Sequence, residues 1–223
     1  MEKVDPELFE LEPEDIHLEY TLNWSSLLGG KAVSSNSFPV IETERLVLRE
    51  LALADQHAIL SNFSDEAVTR WFFEHPYTEL SQAKEIIREF DEKYRTGKGI
   101  TWGITLKGHD VVIGTCGFEA FELAGGGEIG FDLAKAYWGR GLMREALCAI
   151  IAYGFEHLLL RQVEAHTYCE NARARALLER LGFSAQRVEN GSCAYALNRE
   201  YWIAPELSTL YSDTILIQHT KAP

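Results

Sequence analysis

The sequence contains no apolar run that approaches the roughly 20 residues needed to span a lipid bilayer. Its first segment is acidic, whereas a secretory signal begins with basic residues and continues with apolar ones. These absences argue against a membrane protein and against an exported one. They predict a soluble protein that stays in the cytoplasm and has no membrane partner.

Basic residues are also scarce. Lys and Arg number 21 against 34 Asp and Glu, which gives a formal net charge of −13 at pH 7. A surface of this sign repels phosphate backbones, so nucleic acid is not expected as a partner. The charge could steer a cationic amine or a basic peptide toward a site, or it could serve solubility alone.

Motifs that hold metals are missing as well. The four cysteines form no CxxC pair, and the seven histidines are not clustered. The cysteines stand at wide spacings inside apolar segments, at Cys116, Cys148, Cys169 and Cys193. Four reduced, buried thiols and no metal site are therefore predicted.

The 223 residues, of which 46% are hydrophobic, suffice for one globular domain with a core. Residues 1–41 are acidic and include a stretch rich in Gly, Ser and Asn, which predicts an N-terminal extension on a loose linker. Apolar alternation then predicts strands at 46–48, 100–106, 111–121, 128–133 and 162–168. Apolar positions at helical spacing predict helices at 53–62, 80–94, 142–159 and 172–181.

Turn and cap residues complete this pattern. Thr78 or Ser81 is expected to cap the second helix, and Gly182 to end the last one. Asn190 and Gly191, flanked by extended runs, predict a final hairpin. The predicted fold class is α+β, with a mixed sheet flanked by helices.

The stretch EIGFDLAKAYWGRGLMRE, residues 128–145, carries the most functional information. It passes from a strand through a turn with Gly139 and Gly141 into a long helix. Such a junction leaves unpaired backbone N–H donors at the positive end of the helix, and glycine places no Cβ between them and a phosphate. A diphosphate site is predicted, to which Arg140 and Arg144 could add charge. A plain tight turn is the alternative.

Missing residues argue against two common classes of protein that have such a site. There is no GKS or GKT, which argues against a nucleotide-hydrolysing P-loop. There is also no third glycine followed by a downstream acid in a βαβ unit, which argues against a dinucleotide-binding fold. The anion must belong to a different ligand.

Four separate stretches match one family in order along the chain. They are TERLVLRELALAD (43–55), GTCGFEAF (114–121), EIGFDL with YWGRGLMREAL (128–133 and 137–147), and NARARALLERLGF (171–183). In these residues the chain resembles the GNAT superfamily of N-acetyltransferases, and within it the RimJ/RimL-like branch that includes ribosomal-protein-alanine N-acetyltransferases. The match predicts a domain at 42–202 and leaves a C-terminal tail at 203–223.

The resemblance implies a fold and an activity. The fold would be a mixed, mostly antiparallel sheet of about seven strands with about four helices. The activity would be transfer of an acetyl group from acetyl-coenzyme A to a primary amine, by direct attack in a ternary complex. The acceptor could be a protein N-terminus or a small molecule, and the protein a monomer or a homodimer. A non-catalytic coenzyme A-binding sensor or interaction module is the alternative.

The resemblance also implies how the coenzyme would be held. Main-chain groups of 131–133 would pair with pantetheine, amides of 139–143 would hold the pyrophosphate, and Trp138 stands where other branches have Gln or Arg. Asn171 would bond pantetheine or an ordered water, and a plain helix cap is the other role for this residue. The implied coenzyme-binding residues are Phe131, Asp132, Leu133, Trp138, Gly139, Arg140, Gly141, Leu142, Met143 and Asn171.

Acetyl transfer needs a neutral amine, because an ammonium group has no lone pair to attack the thioester. Glu128 stands where related transferases place a glutamate that acts through water, so Glu128 is the proposed general base, with a purely structural carboxylate as the alternative. The general acid of the family is missing, because Leu178 and Ala174 occupy its two usual positions. Tyr168 and Tyr195 are the nearest hydroxyl groups.

The acceptor side is expected in the aromatic segment after residue 70. Trp71, Phe72 and Tyr77 fall where similar proteins line the acceptor cleft, and they are the predicted substrate-binding residues. Packing in the core is the alternative role for Trp71 and Phe72.

Overall fold

The computed structural model describes residues 38–72, 75–122 and 125–203. The predicted extension up to residue 37, and the tail beyond residue 203, lie outside the described residues. The boundaries at 41/42 and 202/203 therefore stay predictions.

Eight strands and five α-helices make up the described part of the chain. The strands are β1 Ile41–Glu42, β2 Leu46–Arg49, β3 Ile100–Leu106, β4 His109–Phe121, β5 Gly126–Leu133, β6 Gln162–Tyr168, β7 Ser184–Glu189 and β8 Ser192–Asn198. The helices are α1 Gln56–Phe63, α2 Glu66–Thr69, α3 Leu80–Arg95, α4 Leu142–Glu156 and α5 Ala172–Arg180.

The strands form one sheet in the order β1-β2-β3-β4-β5-β6-β8-β7. Neighbouring strands are antiparallel except for the pair of β5 and β6, which is parallel. The α+β class and the mostly antiparallel sheet are confirmed. The strand and helix beyond the expected numbers are β1 and α2, which are too short to show a hydrophobic period in the sequence.

Helices cover both faces of the sheet. Val112 and Ile113 are neighbours on β4 and point to opposite faces, so they belong to different apolar clusters. The smaller cluster joins Val112 to α1 and α3 through residues such as Ile59 and Ile87. The larger one surrounds α4, most of whose residues are buried. This arrangement sets the start of α4 against the end of β5.

The predicted turns are mostly confirmed. Asn190 and Gly191 have φ values of 50° and 80°, as a tight hairpin between β7 and β8 requires, and Gly182 ends α5 with a φ of 90°. The predicted cap of α3 is wrong. Glu79 is the capping residue, and the side chain of Gln82 reaches back to accept from its backbone N–H at 3.0 Å.

The prediction for the cysteines is right for two of the four. Cys116 and Cys148 are free and buried, and burial raises the pKa of both thiols. Cys169 and Cys193 instead form a disulfide, with their Cα atoms 5.3 Å apart. Cys169 follows β6 directly, and the register of β6 with β8 places Thr167 opposite Cys193. Sequence spacing does not reveal a pairing that depends on strand register.

Among the described residues, no helix has the length and apolar character needed to cross a membrane. Within the same residues, no group of three or more His, Cys, Asp or Glu side chains is placed to hold a metal ion.

Candidate active site

The site begins where two parallel strands separate. β5 and β6 are paired only at Gly126–Glu128 with Gln162–Glu164. After Glu128, β5 continues along β4 while β6 continues along β8. The β6-facing edge of residues 129–133 therefore borders a gap, as the family resemblance implies. A cleft of about 1270 Å³ opens there, between the ends of β5 and β6 and the starts of α4 and α5.

An amide cradle, formed by the backbone N–H groups of residues 139–143, lies at one end of this cleft. Gly139 and Gly141 have φ values of 74° and 75°, in the left-handed region that favours glycine. Gly141 caps α4, and the side chains of Leu142 and Met143 are buried beneath the turn. None of the cradle N–H groups donates to a residue that the structure describes. Unpaired donors at the start of a 15-residue helix are the geometry that binds an anion.

The turn that carries the cradle is fastened to the segment between β1 and β2. The buried carboxylate of Glu145 accepts from the Thr43 hydroxyl at 2.5 Å and from the backbone N–H and Nε of Arg45 at 2.8 and 2.7 Å. Arg45 also donates through Nη1 to the carbonyl of Arg140 at 3.0 Å. Burial alone would raise the pKa of Glu145, but the hydrogen bonds from Thr43 and Arg45 outweigh it and hold the pKa below its usual value. Glu145 therefore stays charged at neutral pH, and we call its bonds to Thr43 and Arg45 the clamp.

Trp138 lines the cleft and also makes a structural contact. Its indole Nε1 donates to the carbonyl of Leu133 at 2.6 Å and so closes the turn between β5 and α4. The Leu133 carbonyl thus already accepts one hydrogen bond, and the pairing of residues 131–133 with pantetheine stays a prediction. The guanidinium of Arg173 lies 4.5 Å from the centre of the indole ring and brings a positive charge to the cleft.

Glu128 lies on the cleft and has a partner that sequence reasoning missed. Its Oε1 is 2.9 Å from Nδ1 of His166, and the two side chains are 40% and 43% exposed. His166 stands on β6 two residues beyond Glu164, which is the last residue of β6 paired with β5. The contact therefore spans the gap at the point where the strands part. Only the parallel register, which the sequence does not show, could have identified this pair.

A second carboxylate enters the cleft through a β-bulge. β4 shifts register between Phe118 and Ala120, which leaves Glu119 as the extra residue. The Glu119 carboxyl lies over Gly130, where any Cβ would collide with it. Solvent reaches part of this side chain, yet the cleft wall desolvates its carboxyl, and this desolvation followed by repulsion from Glu128 raises its pKa. Sequence reasoning also missed Glu119.

The deepest carboxyl group of the cleft is Asp132. It accepts hydrogen bonds from the Asn62 amide and the Thr115 hydroxyl and is buried. Desolvation is the main cause that raises its pKa to about 7, while the two hydrogen bonds act in the opposite direction and the charge of Glu119 adds to the increase. Asp132 therefore binds or releases a proton near neutral pH.

Asp132 gives a prediction on stability. Its folded pKa exceeds the ordinary value of 3.8, so the folded state binds more protons than the unfolded state between about pH 4 and pH 7. The stability that Asp132 contributes should be lost as pH rises through this window. Asn cannot titrate, so Asp132→Asn should not lose this stability. Between pH 5 and pH 8, the free energy of unfolding of the variant should rise by about 3 kcal/mol relative to that of wild type. Urea unfolding at both pH values measures it, with exposed Glu156→Gln as the control. Equal pH slopes in wild type and Asp132→Asn would contradict the prediction.

The predicted acceptor residues fall in two places. Trp71 and Phe72 line the cleft, and the Trp71 ring lies 6.0 Å from that of Tyr168 across its rim. Tyr77 does not line the cleft. Its ring packs 5.4 Å from Phe63 in the smaller apolar cluster, and burial raises its pKa. A packing role therefore fits Tyr77 better than the expected contact with the acceptor.

Tyr195 and Tyr168, the nearest hydroxyl groups considered as general acids, have structural contacts. The Tyr195 hydroxyl is buried, accepts from Nε of Arg175 at 3.1 Å and donates to Glu179 at 3.2 Å. Tyr168 packs on Trp71 and is not part of the cleft lining. The described hydroxyl groups that do line the cleft are those of Thr101, Thr115, Tyr137 and Thr167.

Asn171 serves as a helix cap and also faces the cleft. Its Oδ1 accepts from the backbone N–H of Ala174 at 3.2 Å at the start of α5. Its amide nitrogen donates to no described residue and is available to a ligand in the cleft. The two roles weighed for this residue are compatible.

Comparison with known proteins identifies the family. The acetyltransferase (GNAT) domain profile matches residues 45–184. The uncharacterized N-acetyltransferase p20 of Bacillus licheniformis is 37% identical over 145 residues, which is 65% of this chain and 82% of that protein. The uncharacterized N-acetyltransferase YoaA of Bacillus subtilis (strain 168) is 33% identical over 152 residues, 68% of this chain and 86% of that protein. The structure of Mycobacterium smegmatis RimJ in complex with CoA-disulfide covers 73% of this chain and 89% of its own, with a TM-score of 0.65 at 19% identity. The chain therefore belongs to the GNAT acetyltransferase family and transfers an acetyl group from acetyl-coenzyme A to an amine.

Proposed function

We propose that residues 42–202 form the catalytic domain of a RimJ/RimL-like N-acetyltransferase that acts on a primary amine, either a protein N-terminus or a small molecule. The observation that carries the proposal is the amide cradle at residues 139–143, whose donors are unpaired within the described chain. The likeness of the fold to RimJ supports the choice of branch.

The described residues fit acetyl-coenzyme A along the length of the cleft. The cradle amides would take the pyrophosphate. Although the chain carries a formal charge of −13, several basic side chains line this same cleft. They are Arg70, Lys93, Lys135, Arg144, Arg173 and Arg180. The β6-facing edge of residues 129–132 would pair with pantetheine, with Asn171 donating from the opposite side of the gap.

Transfer would then proceed by direct attack. The amine nitrogen forms a bond to the thioester carbonyl carbon, the carbon–sulfur bond breaks, and coenzyme A leaves as the thiolate. The proton lost by the amine passes through water to the carboxylate of Glu128. Trp71 and Phe72 would border the acceptor on the open side of the cleft. No covalent intermediate with the protein is required.

Calorimetry with acetyl-coenzyme A, followed by a coenzyme A-release assay, tests the proposal. The acceptor panel contains peptides with free α-amines and small primary amines. Heat of binding together with amine-dependent release is the expected result. The absence of binding would overturn the proposal. Binding without release for every amine would favour a coenzyme A sensor, which is the second candidate because Leu178 and Ala174 leave the usual acid positions empty of hydroxyl groups.

The proposal also includes a cytoplasmic location and a monomer or homodimer. The Cys169–Cys193 disulfide weighs against a reducing compartment, since such bonds are rare there. Thiol labelling tests the location, after cells are quenched with acid to preserve the redox state of the protein. Labelling of both Cys169 and Cys193 would agree with the cytoplasm, and protection of both would contradict it.

A further inference from the structure

The Glu128 carboxylate is repelled by one neighbouring side chain and held by another. Glu119 approaches from β4, and its charge and that of Glu128 repel each other. Lys93 from α3 lines the same cleft and attracts Glu119. Among the described residues, His166 is the side chain that holds Glu128, with 2.9 Å between Nδ1 and Oε1.

The His166 ring can donate a hydrogen bond to this carboxylate. A neutral imidazole donates from one nitrogen and accepts at the other. Because Glu128 as a carboxylate can only accept, Nδ1 carries the hydrogen and one carboxylate oxygen of Glu128 is engaged. The other oxygen, Oε2, then remains for the water or amine in the cleft. No described residue binds Nε2 of His166.

The location of the pair is unlike that of an ordinary surface ion pair, which contributes little. Glu128 is the last residue of β5 that pairs with β6, and His166 lies on β6 two residues beyond its partner Glu164. The contact thus fixes the direction of the Glu128 side chain at the mouth of the gap. A carboxylate that rotates away by about 1 Å loses on the order of 100-fold in rate.

We propose that His166 is the positioning residue of Glu128: its Nδ1–H holds Oε1 of the carboxylate so that Oε2 faces the acceptor amine. This inference rests on the proposed function, in which Glu128 accepts the proton. His166 acts through Glu128 and does not itself touch the acceptor.

Two His166 variants and one control variant test the assignment. The Asn side chain can place an N–H donor where Nδ1 stands, whereas Ala cannot. His166→Ala should lower kcat by about 10- to 100-fold, with the KM for acetyl-coenzyme A unchanged. His166→Asn should keep kcat within about 3-fold of wild type. His109→Ala, at an exposed position at the start of β4, is the matched control and should retain wild-type kcat.

A double-mutant cycle gives the decisive comparison. If His166 acts through Glu128, the variant with both Glu128→Gln and His166→Ala should be no slower than Glu128→Gln alone. Thermal unfolding of each variant shows that it is folded. An equal loss in His166→Asn and His166→Ala would show that a donor at the Nδ1 position does not restore turnover, and it would overturn the positioning role. A further loss in the double variant, or wild-type turnover in His166→Ala, would also overturn it. Failure of the proposed function is distinct, because wild type itself would then show no turnover.

Discussion

Replacing Glu128 by Gln is expected to lower kcat by about 100- to 10,000-fold, the usual contribution of a general base. The amide has nearly the shape of the carboxylate and can still accept from His166, but it cannot take up a proton. The amine would therefore attack only when it has lost its proton to bulk water. Glu128 is near the start of β5, whereas the cradle at 139–143 follows the end of that strand, so the Kd for acetyl-coenzyme A should stay within about 2-fold. Steady-state kinetics and calorimetry measure the two effects.

Glu164→Gln is the matched control for this prediction. Glu164 stands opposite Glu128 in the β5–β6 register, yet it is not part of the cleft lining. Its substitution should leave kcat within about 2-fold of wild type, as is usual for a change away from the reacting groups. Turnover of Glu128→Gln equal to wild type at neutral pH would remove Glu128 from the mechanism. Glu119 would then be the carboxylate to substitute next, because it shares the cleft.

Gly141→Val is expected to weaken acetyl-coenzyme A binding by about 100-fold, from the loss of two or more charge-assisted hydrogen bonds. Gly141 has a φ of 75°, a conformation that a β-branched residue adopts only with strain. The turn would relax toward negative φ and rotate the amides that follow it out of the cradle. A Cβ at this position would lie 3.6 Å from Nη2 of Arg45, which is ordinary contact, so the effect arises from the backbone.

Strain alone must be separated from loss of the cradle. Gly108 has a φ of 82° and open space around a Cβ, and it lies in the turn between β3 and β4. Gly108→Val therefore introduces similar backbone strain away from the cleft. It should lower thermal stability but leave the Kd for acetyl-coenzyme A unchanged. Equal binding by Gly141→Val and wild type, or equal weakening by both variants, would contradict the role of the cradle.

The parts of the fold and site that sequence predicted are those set by local signals. The turn at Gly139 and Gly141, the start of α4 and the hairpin at Asn190 each depend on residues adjacent in the chain, and each is present in the structure. The position of Glu128 at the strand opening followed from the family motif that surrounds it.

The parts that were missed depend on strand register. His166 reaches Glu128 because β6 lies parallel to β5, and Glu119 reaches the cleft because β4 has an extra residue. The Cys169–Cys193 bond likewise needs β6 beside β8. A one-residue change of register would turn each of these side chains to the other face. Composition and periodicity contain no information on such pairings.

The Glu145 carboxylate has a consequence for where a functional fragment of this protein can begin. It joins Thr43 and Arg45, at the entry to β2, to the turn whose carbonyl at Arg140 also receives a bond from Arg45. A truncation that starts just after Arg45 would keep nearly all of the sheet but lose the clamp on the ligand-binding turn. Such a protein is expected to bind acetyl-coenzyme A more weakly, because side chains that brace the ligand-binding helix stand about 100 residues before it in the chain.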